Sequence, residues 1–127
     1  MNTFKTTLLL ATLVLFTSCN NDDEPKNEAP VVENMTINVS ENLESDLITT
    51  IIATDAEEDT LTYAIVSQTP ANSIIINENT GEIYVGNASA FDYEQNTQIV
   101  AVVSVSDGTS TTESTLTINI LDVQENG

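Results

Sequence analysis

The chain has 127 residues, of which 20 are Asp or Glu and two are Lys or Arg, and it has no His, so its formal net charge is −18. The two basic residues, Lys5 and Lys26, cannot form the clustered positive surface that binds nucleic acid or bare anionic lipid. One Cys and no His or Arg exclude a Ser-His or Cys-His nucleophile, a thiol redox pair, a Cys/His zinc site and an Arg phosphate clamp. With 40% hydrophobic residues, the chain can still bury the core of one domain.

The amino-terminal residues have the pattern of a secretory signal. One positive charge precedes the apolar run Leu8–Phe16, which is too short to span a bilayer. Thr17 and Ser18 then precede Cys19, and this order resembles a bacterial lipobox, in which the cysteine is acylated. We therefore predict a lipoprotein signal peptide over residues 1–18, lipidation of Cys19 and a cell-envelope, outer-membrane lipoprotein. The alternative is an ordinary signal peptide that leaves a free cysteine behind.

The segment after the cysteine is predicted to be a tether. Residues 19–28 are acidic and polar after the cysteine itself, which is typical of a flexible linker. An Asp-rich stretch directly after a lipidated cysteine also resembles the surface-export tract of some double-membrane bacteria. A soluble tether has the same composition, so both interpretations stay open.

Seven apolar segments of strand length follow, separated by polar turn residues. Several alternate with period two, as in Thr111–Leu121, where Leu116, Ile118 and Ile120 share one face. No segment has a helical stripe, so residues 29–127 are predicted to form an all-β, seven-stranded antiparallel Greek-key sandwich of the immunoglobulin-like type. The segments are Val31–Val39, Leu47–Thr54, Leu61–Ser67, Ser73–Asn77, Glu82–Val85, Gln98–Ser106 and Thr111–Leu121, with tight turns at Gly81 and Gly108.

Many acidic residues fall in the connections between these segments. In a Greek-key sandwich the connections gather at two ends, so carboxylates would meet there. Each pair at 4 Å repels by about 1 kcal/mol in water. Calcium, which prefers six to eight oxygen ligands, would relieve that repulsion. The residues alone leave two interpretations open, namely calcium sites and solvated loop residues.

Six motifs resemble those of a cadherin repeat and occur in the same order across residues 29–126. Ala53–Glu57 followed by Leu61–Ile65 resembles the A-x-D-x-D and L-x-Y-x-I stretches, and Ile76–Ile83 resembles the I-D-x-x-T-G-x-I hairpin. Phe91–Glu94 is similar to L-D-R-E, and Val103–Asp107 is similar to V-x-V-x-D. The last two are Ile118–Asn126, similar to I-x-V-x-D-x-N-D-N, and Ser40–Asn42, similar to P-E-N.

The resemblance implies a calcium-binding module with a ligand group at each end. It implies a carboxyl-terminal site made by Glu41, Asp92, Glu94, Asp122 and Glu125, with the carbonyl of Gln124 as a further ligand. It implies an amino-terminal site made by Asp55, Glu57 and Asp107, with Asn27 or Glu28 as additional candidates. Such sites are shared between neighbouring repeats, so a single repeat is expected to bind calcium partially, in the range of about 10⁻⁴–10⁻³ M.

Two enzymatic or metal-binding alternatives are rejected on the residues. Asp55, Glu57 and Asp59 have the spacing of an EF-hand loop, but Thr60 stands at its glycine position and Val66 at its final glutamate position. Paired carboxylates could serve a glycosidase, but the chain has no Trp and is small for a catalytic groove.

We therefore expect no enzyme. The leading hypothesis is a lipid-anchored, calcium-binding adhesion module that contacts an unidentified envelope protein or glycan. It touches the membrane only through its anchor and is a monomer without calcium. The alternative is a calcium-independent structural spacer or accessory subunit of an envelope complex.

Overall fold

The computed structural model describes residues 24–125, whose regular structure is almost entirely β-strand. The predicted signal peptide and Cys19 lie outside these residues. No helix within residues 24–125 is both long enough and apolar enough to cross a membrane. The elements in this part of the chain are β1 Val31–Val32, β2 Met35–Ser40, β3 Leu47–Thr50, β4 Ala53–Thr54, β5 Thr62–Thr69, β6 Ile74–Ile76, β7 Glu82–Val85, the 3-10 helix η1 Ala88–Phe91, β8 Gln98–Ser106 and β9 Thr111–Leu121.

The strands within residues 24–125 form three sheets, of which two enclose the core and the third has two short strands. The larger sheet has the order β2-β9-β8-β5 and the smaller has the order β3-β7-β6, while β1 pairs with β4. Strands β8 and β9 alternate between buried and partly exposed residues, which confirms the predicted period of two. The core residues with no exposure include Phe91, Ile83, Ile99, Leu116 and Ile118. The predicted immunoglobulin-like sandwich of the cadherin type is confirmed.

The first two predicted strands are each broken into two. Val31–Val39 is interrupted after β1, where Asn34 Oδ1 accepts a hydrogen bond from Thr115 N at 2.8 Å. Leu47–Thr54 is interrupted at Ile51, which is 2% exposed and whose amide donates to Gly81 O at 2.8 Å. Both breaks arise because the chain leaves one pairing partner and turns toward another.

One strand pair differs from the expected antiparallel arrangement. Strands β2 and β9 run in parallel over six residue pairs, from Met35 opposite Leu116 to Ser40 opposite Leu121. The other strand pairs within residues 24–125 are antiparallel. After the first break the chain leaves β4, and β2 lies along β9 at the edge of the larger sheet.

A glutamine side chain connects the two sheets where β5 passes β6. Gln68 Nε2 donates to the carbonyl of Ile74 at 3.1 Å, and Gln68 Oε1 accepts from the amide of Ile74 at 2.9 Å. Nearby, the amide of Tyr63 donates to Glu78 O at 2.9 Å. The two bonds to Gln68 satisfy the backbone groups of Ile74 that β6 would otherwise expose at the edge of its sheet.

Candidate metal centres

Three carboxylates meet at the end of the sandwich where β2 and β9 finish. Glu41 follows β2, Glu94 follows η1 and Asp122 follows β9, and one oxygen of each lies within 4.8 Å of the others. We call Glu41, Glu94 and Asp122 the carboxyl-terminal cluster. It lies at the end of the sandwich that the strand order predicted.

Glu41 is fixed in place by two backbone amides. Its Oε1 accepts a hydrogen bond from Val123 N at 2.7 Å, and its Oε2 accepts one from Tyr93 N at 3.0 Å. These amides belong to two separate segments, so one half-buried carboxylate connects the end of β2 to both. Each oxygen retains a lone pair that could coordinate a cation.

Asp92 and Glu125 lie beside this cluster without joining its three-carboxylate contact. Both line a cavity of about 270 Å³ together with Glu41 and Glu94. Asp92 Oδ2 accepts from Gln95 Nε2 at 2.6 Å and its Oδ1 accepts from Glu94 N at 3.0 Å. The hydrogen bond from Gln95 is the main reason that the pKa of Asp92 is lowered.

Glu94 experiences the charge of its neighbours. A hydrogen bond from its own backbone amide lowers the pKa of Glu94, but the negative charge of Glu41, burial and the neighbouring Asp92 together outweigh this effect. The net result is a raised pKa, because ionising Glu94 adds a third negative charge at short range. A cation placed among these carboxylates would reverse that effect.

The second cluster lies at the opposite end of the sandwich, where β4 finishes. One oxygen each from Asp55, Glu57 and Asp59 lies within 4.8 Å of the others, and we call these residues the amino-terminal cluster. Asp55 Oδ1 accepts from the amides of Glu57 at 3.0 Å and Asp59 at 2.9 Å. Asp55 Oδ2 is buried and has no hydrogen-bond partner within residues 24–125. A buried carboxylate oxygen without a donor fits a bound cation.

Asp107 is near this end but is held by other contacts. Its Oδ1 accepts from Ser110 N at 2.6 Å and Thr109 N at 2.7 Å, and its Oδ2 accepts from Asn27 Nδ2 at 3.0 Å. These bonds, Ser110 first and Asn27 second, lower the pKa of Asp107.

The end of the predicted tether contacts the same region. The amide of Glu28 donates to Glu57 Oε1 at 2.8 Å, in addition to the bond between Asn27 and Asp107. Asn27 and Glu28, the two additional candidates from the sequence, therefore lie beside the amino-terminal cluster and join it to Asp107.

The structure brings five of the eight predicted ligands into the two clusters and adds one residue. Asp92, Glu125 and Asp107 lie nearby but outside the three-carboxylate contacts. Asp59 was set aside with the EF-hand spacing, yet it joins Asp55 and Glu57. The alternating acids at positions 55, 57 and 59 were the sequence signal for this cluster. Asp55 Oδ1 accepts hydrogen bonds from the amides of Glu57 and Asp59, so the loop curves around the Asp55 side chain.

The geometry is suited to holding a hard cation. Three carboxylate oxygens within 4.8 Å repel one another, and a divalent cation would turn that repulsion into attraction. Calcium prefers six to eight oxygen ligands, so either cluster needs carbonyls, waters or another molecule to complete the shell.

Comparison with known proteins identifies the family of the chain. The family model "Cadherin domain" matches residues 35–121. The chain is 30% identical over 105 residues to the Fat-like cadherin-related tumor suppressor homolog of Drosophila melanogaster, covering 80% of this chain and 2% of that protein. It is 37% identical over 76 residues to Protocadherin-15 of Homo sapiens, covering 58% of this chain and 4% of that protein. The chain thus spans a very small share of these relatives.

Solved structures show the same fold. A form II crystal structure of human Protocadherin-24 EC1-2 superposes with a TM-score of 0.68 and 24% identity, covering 76% of this chain and 46% of that chain. Mouse Cadherin-23 EC22-24 superposes with a TM-score of 0.68 and 20% identity, covering 77% of this chain and 34% of that chain.

Proposed function

Since the chain belongs to the cadherin domain family, we propose that it is a calcium-binding contact module of the cell envelope, held there by a lipid on Cys19. Cadherin domains are typically non-enzymatic modules of adhesion that bind calcium. In this proposal the chain itself binds calcium, is anchored by its lipid and has no catalytic activity.

The observation that carries the calcium proposal is the buried Oδ2 of Asp55. That oxygen has no hydrogen-bond donor within residues 24–125, and it belongs to a group of three carboxylates. Leaving a buried charged acceptor without a partner costs more than leaving a neutral one. A calcium ion held by Asp55, Glu57 and Asp59 would provide the missing partner.

The carboxyl-terminal cluster would hold calcium with Glu41, Glu94 and Asp122, and Asp92 and Glu125 lie close enough to assist. The ion would supply positive charge and fix the loops that carry these side chains. A single module offers three clustered carboxylates at each end, so we propose weak binding in the range of about 10⁻⁴–10⁻³ M.

The amino-terminal sequence and the charge support the proposed location and partners. We place the module in the outer membrane as a lipoprotein, facing an unidentified envelope protein or glycan. Its formal charge of −18 opposes contact with nucleic acid and with bare anionic lipid. In dilute solution without calcium, the same charge favours a monomer.

Thermal unfolding of the fragment 20–127, which contains every strand and core residue described above, tests the calcium proposal. With a dissociation constant of about 10⁻³ M, 10 mM calcium stabilises the fold by about 1.4 kcal/mol relative to chelator. The Tm should therefore rise by roughly 5–10 °C. The double variant Asp92→Asn with Glu94→Gln keeps the side-chain shapes, and we expect it to lose most of the rise contributed by the carboxyl-terminal cluster.

The matched control is Glu44→Gln with Asp46→Asn, which removes the same two charges from exposed residues outside both clusters. It should keep the calcium-dependent rise. If wild-type Tm is the same in calcium and chelator, the chain is a spacer or accessory subunit whose acids are only solvated. If the double variant and the control respond alike, the carboxyl-terminal cluster does not bind the ion.

Membrane fractionation of cells that express the full chain tests the anchor. Cys19→Ala should release the protein from the membrane fraction or leave it unprocessed, because the acylated side chain is gone. A matched Ser18→Ala variant keeps the cysteine and a small residue before it. Wild-type fractionation and mobility of Cys19→Ala would show that the cysteine is not lipidated.

A further inference from the structure

The last residues of the predicted tether are held by the folded domain before β1 begins. Asn27 is half-buried and Pro30 is fully buried, although the two residues between them are exposed. The carbonyl of Pro30 accepts a hydrogen bond from Thr112 Oγ1 at 2.7 Å. The domain therefore holds the chain from Asn27 onward.

The Asn27 side chain presents its NH₂ group to three oxygen atoms. Nδ2 donates to Asp107 Oδ2 at 3.0 Å, to Ser110 Oγ at 3.2 Å and to the carbonyl of Glu28 at 3.4 Å. A carboxylate and a carbonyl can only accept hydrogen bonds, so the amide nitrogen, and not the amide oxygen, must face Asp107. Asn27 thus gives Asp107 a neutral donor.

The carboxylate that receives this bond is already held by its own turn. Asp107 Oδ1 accepts from Ser110 N at 2.6 Å and Thr109 N at 2.7 Å, and Asp107 N donates to Ser110 O at 3.2 Å. An acceptor that is fixed beforehand lowers the entropy cost of the new contact. With Asn27 bound, three donors stabilise the negative charge of Asp107 without a cation.

A second bond holds the tether to the neighbouring loop. The amide of Glu28 donates to Glu57 Oε1 at 2.8 Å. Hydrogen bonds to ionised carboxylates are about twice as strong as those between neutral groups. Asp55 Oδ2, by contrast, has no donor within residues 24–125. The donors of the tether therefore satisfy Asp107 and one oxygen of Glu57, and leave Asp55 Oδ2 for a cation.

We propose that residues 27–30 form a clasp that closes on the domain without calcium, with the Asn27 amide as the partner that the Asp107 carboxylate requires. The clasp fixes the point at which the tether leaves the domain. It closes whether or not the amino-terminal cluster holds an ion.

The clasp also limits how far the domain stands from its lipid, a consequence that rests on the proposed lipidation of Cys19. Eight peptide units join Cys19 to Asn27, and at about 3.6 Å each they span at most roughly 29 Å. If the chain were first held at Pro30, the limit would be roughly 40 Å. The clasp therefore keeps the amino-terminal cluster closer to the membrane.

Measurement of ¹⁵N relaxation on the fragment 20–127 in chelator tests the clasp in the absence of calcium. We expect backbone order parameters of about 0.8 at residues 27–29, close to those of the strands, and little change when millimolar calcium is added. Values below about 0.6 at Asn27 and Glu28 in chelator, or order that appears only with calcium, would overturn the proposal. The fragment lacks Cys19, so this result is separate from the test of the lipid anchor.

Two single variants should open the clasp, and their combination should close it again. Asn27→Asp places a carboxylate oxygen opposite Asp107 Oδ2. Asp107→Asn places an NH₂ group opposite that of Asn27, because its remaining oxygen stays with the amides of Thr109 and Ser110. Each should lower the order parameters at residues 27 and 28 below about 0.6 in chelator. The double variant again sets a donor opposite an acceptor, so order should return.

The control Asn79→Asp adds the same charge at an exposed hairpin tip and should keep the clasp closed. Thermal melting in chelator establishes that each variant is folded, and the order parameters of β8 and β9 provide an internal reference. A single variant that keeps residues 27 and 28 ordered, or a double variant that leaves them mobile, would show that the bond between Asn27 and Asp107 does not hold the tether.

Discussion

At the scale of single residues, Glu41 has a structural role besides its candidate role as a ligand. Its two carboxylate oxygens accept from the amides of Tyr93 and Val123, which lie in segments far apart in the chain. The carboxyl-terminal cluster therefore depends on Glu41 to bring its loops together even before any cation is considered.

This role predicts a loss of stability that does not involve calcium. Glu41→Gln replaces one acceptor oxygen with an NH₂ group, which faces a backbone amide that then lacks its partner. We expect the free energy of unfolding in chelator to fall by about 1–3 kcal/mol. Urea unfolding measures this, with Glu125→Gln as the control that removes a charge at the same end. Equal stability of the two variants would contradict the role of Glu41.

Asp107 predicts a dependence of stability on pH. Its pKa is lowered in the folded chain by Ser110, Asn27 and Thr109, so its contribution is present above the unfolded-state value of about 3.9 and is lost as pH falls through the folded value. Asp107→Asn should therefore destabilise the fold at pH 7, and the difference from wild type should shrink toward pH 3.

Urea unfolding in chelator at a series of pH values provides the measurement. Asp46→Asn removes the same charge from an exposed position and corrects for the general relief of repulsion. A difference between Asp107→Asn and wild type that stays constant from pH 7 to pH 3 would show that the hydrogen bonds to Asp107 do not favour its ionised form.

Sequence reasoning located most of these residues but not their partners. Glu41 and Asp55 could be placed at opposite ends because strand order determines where each connection lies. The bonds from Tyr93 and Val123 to Glu41 could not be predicted, because they join segments whose approach depends on the packed core. Asp59 was missed because its place depends on how the loop folds around Asp55.

At the scale of elements, turns and alternating strands were the most predictable features. Gly81 and Gly108 have φ values of 75° and 95°, as the predicted tight turns require. The first break falls at the polar pair Glu33 and Asn34. The break at Ile51 was not predictable from hydropathy, because the threonines before it and the apolar residues after it all favour a strand. The contact between Gln68 and Ile74 could not be predicted from the sequence either. In it, the Gln68 side chain makes the backbone hydrogen bonds that a neighbouring strand would otherwise make with Ile74.

The two glycines predict different costs for the same substitution. A Cβ at Gly81 would lie 2.7 Å from Ile51 O and 3.0 Å from Tyr63 Cε1, whereas one at Gly108 would meet nothing within 4 Å. Both alanine variants place a side chain at positive φ, which costs about 1–2 kcal/mol. Gly81→Ala should cost more, because the backbone at Ile51 must also shift.

Thermal unfolding compares the two variants directly. At about 4–8 °C per kcal/mol, Gly108→Ala should lower Tm by roughly 4–16 °C, and Gly81→Ala should lower it further or prevent folding. Equal losses in the two variants would mean that positive φ alone, and not the contact with Ile51, sets the cost.

At the scale of the whole molecule, charge and architecture divide the surface into distinct regions. The ends of the sandwich carry the clustered acids, while the faces of the sheets are nearly uncharged. This division explains how a chain of formal charge −18 maintains a compact core.

The parallel pairing of β2 with β9 determines how the domain would resist mechanical force. A pull on the chain before Met35 and after Leu121 draws these neighbouring strands in opposite directions along their length. The hydrogen bonds of all six residue pairs then resist the force at the same time. A pull at one end of an antiparallel hairpin instead breaks its pairs one after another. If the chain is tethered at Cys19 and a partner is held at the opposite end of the sandwich, the tension between them passes through this pair.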